Sequence, residues 1–136
     1  MRLLTFQAQH FAWRSFSKTL EDVESVEVDE SVDDALVVFM HIEAQDFEEG
    51  SKVFKRSLKH LKWLANKRAL KTVVLHSFAH LGGENAEPSD ALSFMLRLKE
   101  RLESTGYHVK MTPFGYFCSW DLKVYGESLA KVYKAF

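Results

Sequence analysis

Histidine and cysteine are the residue types in this chain that most readily do chemistry. Six histidines are present, and His76 and His80 lie four residues apart. That spacing would suit a metal site on a helix, but the two residues fall at the end of a predicted strand, where they need not share a face. Because neither a Cys pair nor a His-Glu-x-x-His motif accompanies them, we expect no metal site.

Cys118 is the only cysteine, and it could act as a nucleophile with His80 as its base. It falls on the apolar face of a predicted strand, which favours an inert buried thiol. The sequence has no Gly-x-Ser-x-Gly elbow, no phosphate-binding loop and no dinucleotide fingerprint. A single cysteine also excludes an internal disulfide and is typical of a reducing, cytoplasmic compartment.

Two short segments could act through their backbone instead. Ser77–Leu81 leaves a predicted strand and enters a Gly-rich loop, and Thr112–Phe117 places a Pro and a Gly around the start of another strand. Both segments are stiff, carry few titratable side chains and are free to expose backbone N–H groups. Such groups can bind an oxyanion or an amide without any titratable residue.

The elements that must position these segments predict a mixed α/β domain, with a twisted sheet flanked by helices and the order β-β-β-α-β-α-β-β-α. Alternating or continuous apolar residues predict six strands, over 1–8, 10–17, 35–42, 72–78, 107–111 and 114–125. Helical spacing predicts helices over 51–66 and 89–105, and a last short one with Leu129, Val132, Tyr133 and Phe136 on one side. We expect strands 1–8 and 10–17 to form a hairpin, the acidic stretch 19–34 to be an exposed connection, and 79–88 to be a loop.

Length and composition exclude several classes of protein. The chain has 136 residues, which fits one domain over 1–136. Apolar residues make up 46% and aromatic residues 13%, enough for a core, so the chain is not of the disordered class. No apolar run approaches the ~18 residues of a membrane span, and residues 1–6 are too short and too soon polar for a secretory signal.

Charge is segregated along the chain, although the formal net charge is only −1. Residues 21–49 contain twelve acidic residues and no Lys or Arg, whereas residues 52–71 contain eight basic residues and no acid. A near-neutral protein can therefore carry a face of one sign that binds a polyanion. A solvated helix face is the other interpretation of such a run, and the commoner one.

Taken together, the two segments resemble the signature of the archaeal threonyl-tRNA synthetase editing domain. That family carries Phe-Ala-His-Leu after its central strand, matched at Phe78–Leu81, and Pro-Phe-Gly-Tyr before a late strand, matched at Pro113–Tyr116. The helix start at Pro88-Ser89, the opening Met-Arg-Leu-Leu and the length also agree, so the resemblance covers essentially the whole chain. It implies a fold similar to D-aminoacyl-tRNA deacylases, a homodimer, and hydrolysis of L-seryl-tRNA(Thr).

The resemblance also implies which residues form the site. The seryl group would be faced by Ser77, Ala79 and His80, with the other side closed by Phe114, Gly115, Tyr116 and Phe117. Ile42 and Glu43 would lie near the terminal adenosine, mainly through backbone contacts. The acceptor-stem phosphates of tRNA(Thr) would be met by the basic residues Lys52, Lys55, Arg56 and Lys59. Catalysis would involve His80 and, mainly through their backbone, Phe117 and Cys118.

Two departures from the family pattern affect the expected mechanism. Family members often carry Tyr-Lys where this chain has Phe117-Cys118, and a late Gly-His-Pro-Leu-Ala-Glu that appears here as residues 126–131, ending in Lys131. A lysine and a glutamate that could serve as acid and base are thus absent. We expect backbone N–H groups to hold the oxyanion, and the 2′-hydroxyl of the terminal ribose to assist in place of a cofactor. His80 is the only side-chain candidate for a direct polar role.

Three alternatives stay open. The same scaffold could deacylate D-aminoacyl-tRNA, the chain could be a non-catalytic RNA-binding or dimerisation module, or it could be a thiol enzyme that uses Cys118. The chain has no room for an aminoacylation core. As an editing domain it would therefore act with a threonyl-tRNA synthetase catalytic domain, either in cis or in trans.

Overall fold

The structure, a computed structural model, describes residues 1–136 and contains one six-stranded sheet and two helices. The strands are β1 (Arg2–Lys18), β2 (Asp29–His41), β3 (Thr72–Ser77), β4 (His108–Met111), β5 (Tyr116–Val124) and β6 (Lys131–Ala135). The helices are α1 (Val53–Asn66) and α2 (Pro88–Glu103), and two 3-10 turns lie at Ala44–Phe47 and Ser128–Ala130. The predicted mixed α/β class with a twisted sheet is confirmed. Neither helix is both long and apolar enough to cross a membrane.

The sheet has the order β4-β3-β2-β1-β5, and β6 pairs with the first part of β1 beside β5. Strands β2, β3 and β4 are parallel, whereas β1 is antiparallel to each of its neighbours. The rings of Phe39 in β2 and Trp120 in β5 lie 4.7 Å apart although β1 runs between their strands. The sheet is therefore strongly curved. On its concave side, β5 lies close to the carboxyl-terminal ends of β2 and β3.

Each face of the sheet has its own core. Helices α1 and α2 cover the convex face, where a cluster of 19 buried residues includes Leu61 and Leu98. The concave face holds a smaller cluster of seven buried residues, among them Phe11, Trp13 and Phe39. In α1 the apolar residues predicted to face inward pack against the sheet, while its lysines point to solvent.

The predicted hairpin of residues 1–8 and 10–17 is wrong, because β1 is one strand of 17 residues. The pairing of β1 with β5 shifts register between Ala8 and His10, which marks a β-bulge. The bulge moves the inward side chains from even to odd positions, so that Phe6 and Phe11 contact the same cluster. In the sequence, this change of phase resembles a chain reversal.

Two other predicted elements are also corrected. Residues 29–34, expected within an exposed connection, form the first part of β2, where Arg14 and Asp29 make an ion pair at 2.9 Å. Their side chains are mostly exposed, so no apolar pattern announced the strand. The last predicted helix is instead β6, which pairs with residues 2–6 of β1. The observed order is β-β-α-β-α-β-β-β.

Candidate functional site

A cavity of about 560 Å³ lies on the concave side of the sheet, where β2 and β3 end. Residues 77–80 form one side of it, and residues 113–118 form the other. The two segments singled out in the sequence thus meet in space. None of the lining side chains is an Asp, Glu, Lys or Arg. The volume is within the range of small-molecule sites, and the lining leaves polar recognition to the backbone, hydroxyl, amide and imidazole groups.

Several backbone N–H groups of the two segments are unused. The Phe78 N–H still donates to the Met40 carbonyl at 2.9 Å and closes the pairing of β2 with β3. The next two N–H groups, of Ala79 and His80, have no acceptor in the chain. The N–H groups of Phe114 and Gly115 also have none. The chain therefore offers two pairs of free donors, one from each wall of the cavity.

His41 fixes the loop that carries the first pair of donors. Its side chain is 1% exposed, its Nδ1 accepts the Leu81 N–H at 3.1 Å, and its Nε2 lies 2.7 Å from Asn85 Oδ1. Because Nδ1 accepts, the proton of the neutral ring is on Nε2 and is donated to Asn85. One imidazole thus holds the loop at two points, and the Ala86 N–H adds a third by donating to the Ile42 carbonyl at 3.1 Å.

Ile42 and Glu43, the two residues expected near the adenosine, are placed differently. Ile42 lines the cavity, but Glu43 does not. Its buried carboxylate lies 2.6 Å from the α-amino group of Met1 and 3.6 Å from the Arg2 guanidinium. Burial alone would raise the pKa of Glu43, but its contacts with the Met1 amine and Arg2 hold that pKa below its ordinary value. Glu43 therefore has a structural role next to the loop of residues 79–86 and does not line the cavity.

Two aromatic residues of the second segment have different roles: Tyr116 is held by hydrogen bonds, whereas Phe117 is exposed. The Tyr116 hydroxyl accepts the Val26 N–H at 2.9 Å and donates to the Glu24 carbonyl at 2.8 Å. This ties the acidic connection across the segment, and Gly115 (φ +80°) allows the close approach of Val23. Phe117, by contrast, lines the cavity and is 54% exposed. The Tyr116 hydroxyl is thus fully engaged in structure, whereas Phe117 stands at the mouth.

Cys118 and His80 both line the cavity without forming a nucleophile–base pair. Cys118 is half-buried rather than fully buried, and burial raises the pKa of its thiol, which keeps it protonated. His80 is exposed, and its ring packs edge-on against Phe78 with the centroids 5.2 Å apart. Neither side chain hydrogen-bonds to the other or to another protein group, so the geometry offers no activated thiolate.

His76 also belongs to the site, although neither the residue pattern nor the resemblance predicted it there. It is buried (3% exposed), lines the cavity, and places Nδ1 2.7 Å from Thr112 Oγ1. That hydrogen bond joins the end of β3 to the second segment. Burial lowers the pKa of His76 from 6.5 to about 4, so the ring is neutral at physiological pH. In the sequence only its spacing from His80 drew attention to it, and its place in an apolar strand predicted a structural role.

The low pKa of His76 predicts a specific dependence of stability on acid. Between pH 6.5 and about 4, the imidazole of His76 binds a proton in the unfolded chain but not in the folded chain. The contribution to stability is therefore complete above pH 6.5 and is lost as the pH falls towards 4, by about 3 kcal/mol. Urea unfolding at pH 7 and pH 4 should show a smaller loss for His76→Phe than for the original chain. Equal losses in both proteins would contradict a buried neutral imidazole.

The basic residues of α1 do not reach the cavity. Lys52, Lys55, Arg56 and Lys59 are exposed, and none of them forms an ion pair within the chain. The structure thus leaves this run as a continuous cationic surface on the convex side. Such a surface is available to a polyanion, and equally to solvent.

Comparison with known families settles which family these features represent. The model of the archaea-specific editing domain of threonyl-tRNA synthetase matches residues 1–136. The chain belongs to this family. The editing domain was expected from residues 78–81 and 113–116, and that prediction is confirmed.

Curated relatives are archaeal threonine–tRNA ligases. The chain is 32% identical to the ligase of Staphylothermus marinus over 98% of its length, and 30% identical to that of Hyperthermus butylicus over 97%. The ligase of Thermococcus kodakarensis is 28% identical, again over 97% of the chain. In each case the editing domain spans 22% of the relative's own length. The chain thus corresponds to about a fifth of the length of each of these ligases.

A solved structure confirms the fold of the editing domain. The c-Myc DNA Unwinding Element Binding Protein superposes with a TM-score of 0.69, over 100% of this chain and 99% of that one. The sequence identity is 11%, so the likeness concerns the fold alone. The predicted mixed α/β fold, with its twisted sheet flanked by helices, is thus shared with a solved structure.

Proposed function

We propose that this editing domain hydrolyses L-seryl-tRNA(Thr), the product formed when serine is attached in place of threonine. The observation that carries the proposal is the meeting of two segments in one cavity, each with free backbone donors and without a charged side chain. An ester carbonyl that becomes an oxyanion is the group such donors stabilise best. Membership of the family of threonyl-tRNA synthetase editing domains supports this choice of substrate.

Physical limits on recognition explain why such a reaction is needed. Serine is threonine without one methyl group, and a binding pocket discriminates a missing methylene by only about 1–3 kcal/mol. A synthetic site that accepts threonine therefore also accepts serine at an appreciable rate. A second cavity that admits the smaller group and excludes the larger one by steric contact corrects the error. The short side chains of Ala79 and Ala86 on the cavity wall suit the smaller group.

The proposed reaction uses little side-chain chemistry. Water attacks the carbonyl carbon of the seryl ester, and free N–H groups of residues 79–80 or 114–115 hold the developing oxyanion. The bond to the ribose 3′-oxygen then breaks, and that oxygen takes the proton that the water gives up. The adjacent 2′-hydroxyl positions the water and passes the proton on. His80 also lines the cavity and is the side-chain candidate for a polar contact with the reacting ester group.

The direct test measures release of the amino acid from Ser-tRNA(Thr) and Thr-tRNA(Thr). We expect seryl hydrolysis to be faster than threonyl hydrolysis by at least about 10-fold, the discrimination one methyl supplies. Preferential hydrolysis of a D-aminoacyl-tRNA would instead establish the deacylase alternative. Tight binding of aminoacyl-tRNA without hydrolysis of any ester would establish a binding module.

Replacing the thiol should leave this activity intact. Because the thiol of Cys118 is protonated and has no base, Cys118→Ala is expected to keep the seryl hydrolysis rate within about 3-fold, as for removal of an unactivated group. Single-turnover rates with saturating protein make the comparison. A loss of more than 100-fold, in a variant that melts at the original temperature, would favour the thiol enzyme.

The exposed basic residues of α1 are proposed to meet phosphates of the acceptor stem. Each phosphate neutralised contributes roughly −0.7 to −0.9 to the slope of log(kcat/KM) against log[salt]. Lys55→Gln should therefore make the slope shallower by about one such unit. Lys123→Gln, which removes an exposed charge from β5 on another face, is the matched control and should not alter it. If kcat/KM does not change with ionic strength, these basic residues do not contact phosphates and are only a solvated helix face.

We further propose that the domain works as a homodimer in the cytoplasm, together with a threonyl-tRNA synthetase catalytic domain in cis or in trans. The curated relatives support the last partner, because they are complete ligases. The edge strand β5 supports the homodimer, since Phe117 is exposed there. It lies beside a second register shift of β1, between Ser15 and Ser17, where Phe16 is 82% exposed. Exposed aromatic pairs on a sheet edge favour association.

A further inference from the structure

The hydrogen-bonding capacity of His76 is only half used. Among the polar side chains that line the cavity it is the one that is buried, and its Nδ1 is engaged by Thr112 Oγ1. Its Nε2 makes no hydrogen bond within the chain. Buried polar atoms without any partner cost about 1–3 kcal/mol each, so native structures rarely leave them unused.

The free nitrogen faces the cavity. Four side-chain polar atoms are sealed in the interior without a partner, and His76 Nε2 is not among them, so it retains accessible surface. Since the residue as a whole is 3% exposed and lines the cavity, that surface is the cavity floor. A ligand that reaches the floor meets this atom.

Aromatic rings frame the imidazole and restrict what can bind there. The ring centroids of Phe39 and Trp120 lie 5.0 and 5.2 Å from that of His76. The only other titratable groups around the cavity are His80, Cys118 and the engaged Tyr116 hydroxyl, so no fixed charge faces the ring. An anion would find no cation on this floor, and a cation would find no carboxylate.

A neutral imidazole in this position suits a hydroxyl group. Which ring nitrogen carries the proton depends on whether the Thr112 hydroxyl donates to Nδ1 or accepts from it. A hydroxyl complements Nε2 in either case, because it can both donate and accept. The geometry points to His76 Nε2 as the group that hydrogen-bonds the side-chain hydroxyl of the seryl ester. This rests on the proposed function of the cavity and adds the residue that reads the substrate's side chain.

The consequence is selectivity for seryl over alanyl esters, which differ only in that hydroxyl. A site built to hydrogen-bond a hydroxyl rejects the analogue that lacks it, because its own polar group is left unpaired. Hydrolysis of Ser-tRNA(Thr) should exceed that of Ala-tRNA(Thr) by about 10- to 100-fold in kcat/KM. Threonine also carries the hydroxyl, so its exclusion is assigned to contact of the extra methyl with the wall.

The experiment compares this ratio in the original chain, His76→Phe and Thr112→Val. We expect His76→Phe to bring the seryl-to-alanyl ratio below about 3, and His76→Gln to restore part of it. Thr112→Val removes the partner of Nδ1 but keeps Nε2, so it should lower the melting temperature and preserve the preference for serine. A ratio that His76→Phe leaves unchanged overturns the inference. Equal losses for both esters also overturn it, because they indicate a structural role.

A second measurement keeps the inference separate from the proposed function. Adenosine carrying a 3′-seryl amide, which cannot be hydrolysed by this route, is titrated into the original chain, and the imidazole ¹⁵N resonances of His76 are followed. A shift of Nε2 with the seryl amide and none with the alanyl amide supports the inference, even if neither tRNA ester is hydrolysed or His76→Phe fails to fold. No shift, or the same shift with both amides, overturns it. Absence of hydrolysis alone removes only the proposed function.

Discussion

Replacing the 2′-hydroxyl of the terminal ribose by hydrogen is expected to slow hydrolysis of Ser-tRNA(Thr) by about 100- to 1000-fold. The cavity contains no carboxylate, lysine or arginine, and its thiol is protonated. Burial lowers the pKa of His76 to about 4, which makes its imidazole a weak base, so His80 is the one side chain of the lining left as a candidate to move the proton of the attacking water. A group on the substrate that positions the water supplies an effect of this size, comparable with that of one oxyanion donor.

The measurement is a single-turnover rate constant with saturating protein, so that a change in tRNA affinity does not enter. A tRNA with the 2′-deoxy substitution at the penultimate nucleotide is the matched control, and it should react at the original rate. The 2′-hydroxyl also distinguishes RNA from DNA at this position, so its loss could weaken binding as well. A deoxy substrate that reacts within 3-fold of the original would assign the proton transfer to the protein.

In that event His80→Ala would identify the base. Under the mechanism proposed here, this variant loses only a polar contact and an edge-on packing partner of Phe78, and should slow the reaction by no more than about 10-fold, one neutral hydrogen bond. A loss of more than about 100-fold, the lower bound for a general base, would place His80 in that role. The 2′-deoxy substrate and His80→Ala together thus distinguish proton transfer through the substrate's 2′-hydroxyl from proton transfer through His80.

The candidate site could be predicted from sequence to the extent that it is contiguous in the chain. Residues 78–81 and 113–116 each form a short block whose composition announces a stiff loop with free donors. The cavity brings the two blocks together, and His76 with Thr112 is the hydrogen bond that joins them. The sequence around His76 does not predict this role. The environment of its ring is set by Thr112 and Trp120, which are distant in sequence.

The errors in the fold have a similar cause. The pattern over 129–136 satisfies helical spacing, but residues 2–6 of β1 lie at a sheet edge that the last segment fills as β6. Pairing of this kind is decided by a free edge elsewhere in the molecule, which local periodicity does not register. The bulge in β1 is likewise a local change of phase whose meaning depends on β5.

Glu43 shows the same limit at a single residue. The resemblance placed it near the terminal adenosine together with Ile42, but in the structure Glu43 does not line the cavity. The carboxylate is held instead by the Met1 amine and Arg2, while the backbone of Glu43 forms a β-bridge with Asn85. Gly83 packs directly against this carboxylate, with φ +76°. The loop that carries the free N–H groups of Ala79 and His80 is therefore seated on a buried ion pair.

Gly83→Ala is expected to destabilise the fold by about 2–5 kcal/mol. A methyl group there would lie 2.8 Å from Glu43 Cδ and closer still to its Oε2, and the carboxylate cannot swing aside without breaking its contact with the Met1 amine. Positive φ costs an alanine roughly 1–2 kcal/mol, and the forced contact adds about 1–3 kcal/mol.

Gly50→Ala is the matched control for that substitution, because Gly50 has φ +77° and nothing within 4 Å of the added methyl. This substitution costs only the strain of a positive φ, so the free energy of unfolding measured in urea should fall by about 1–2 kcal/mol. Seryl hydrolysis at a temperature where both variants are folded should fall in Gly83→Ala and stay unchanged in Gly50→Ala. Equal destabilisation by the two substitutions would show that the Glu43 carboxylate moves aside without cost, and that it does not hold the loop in position.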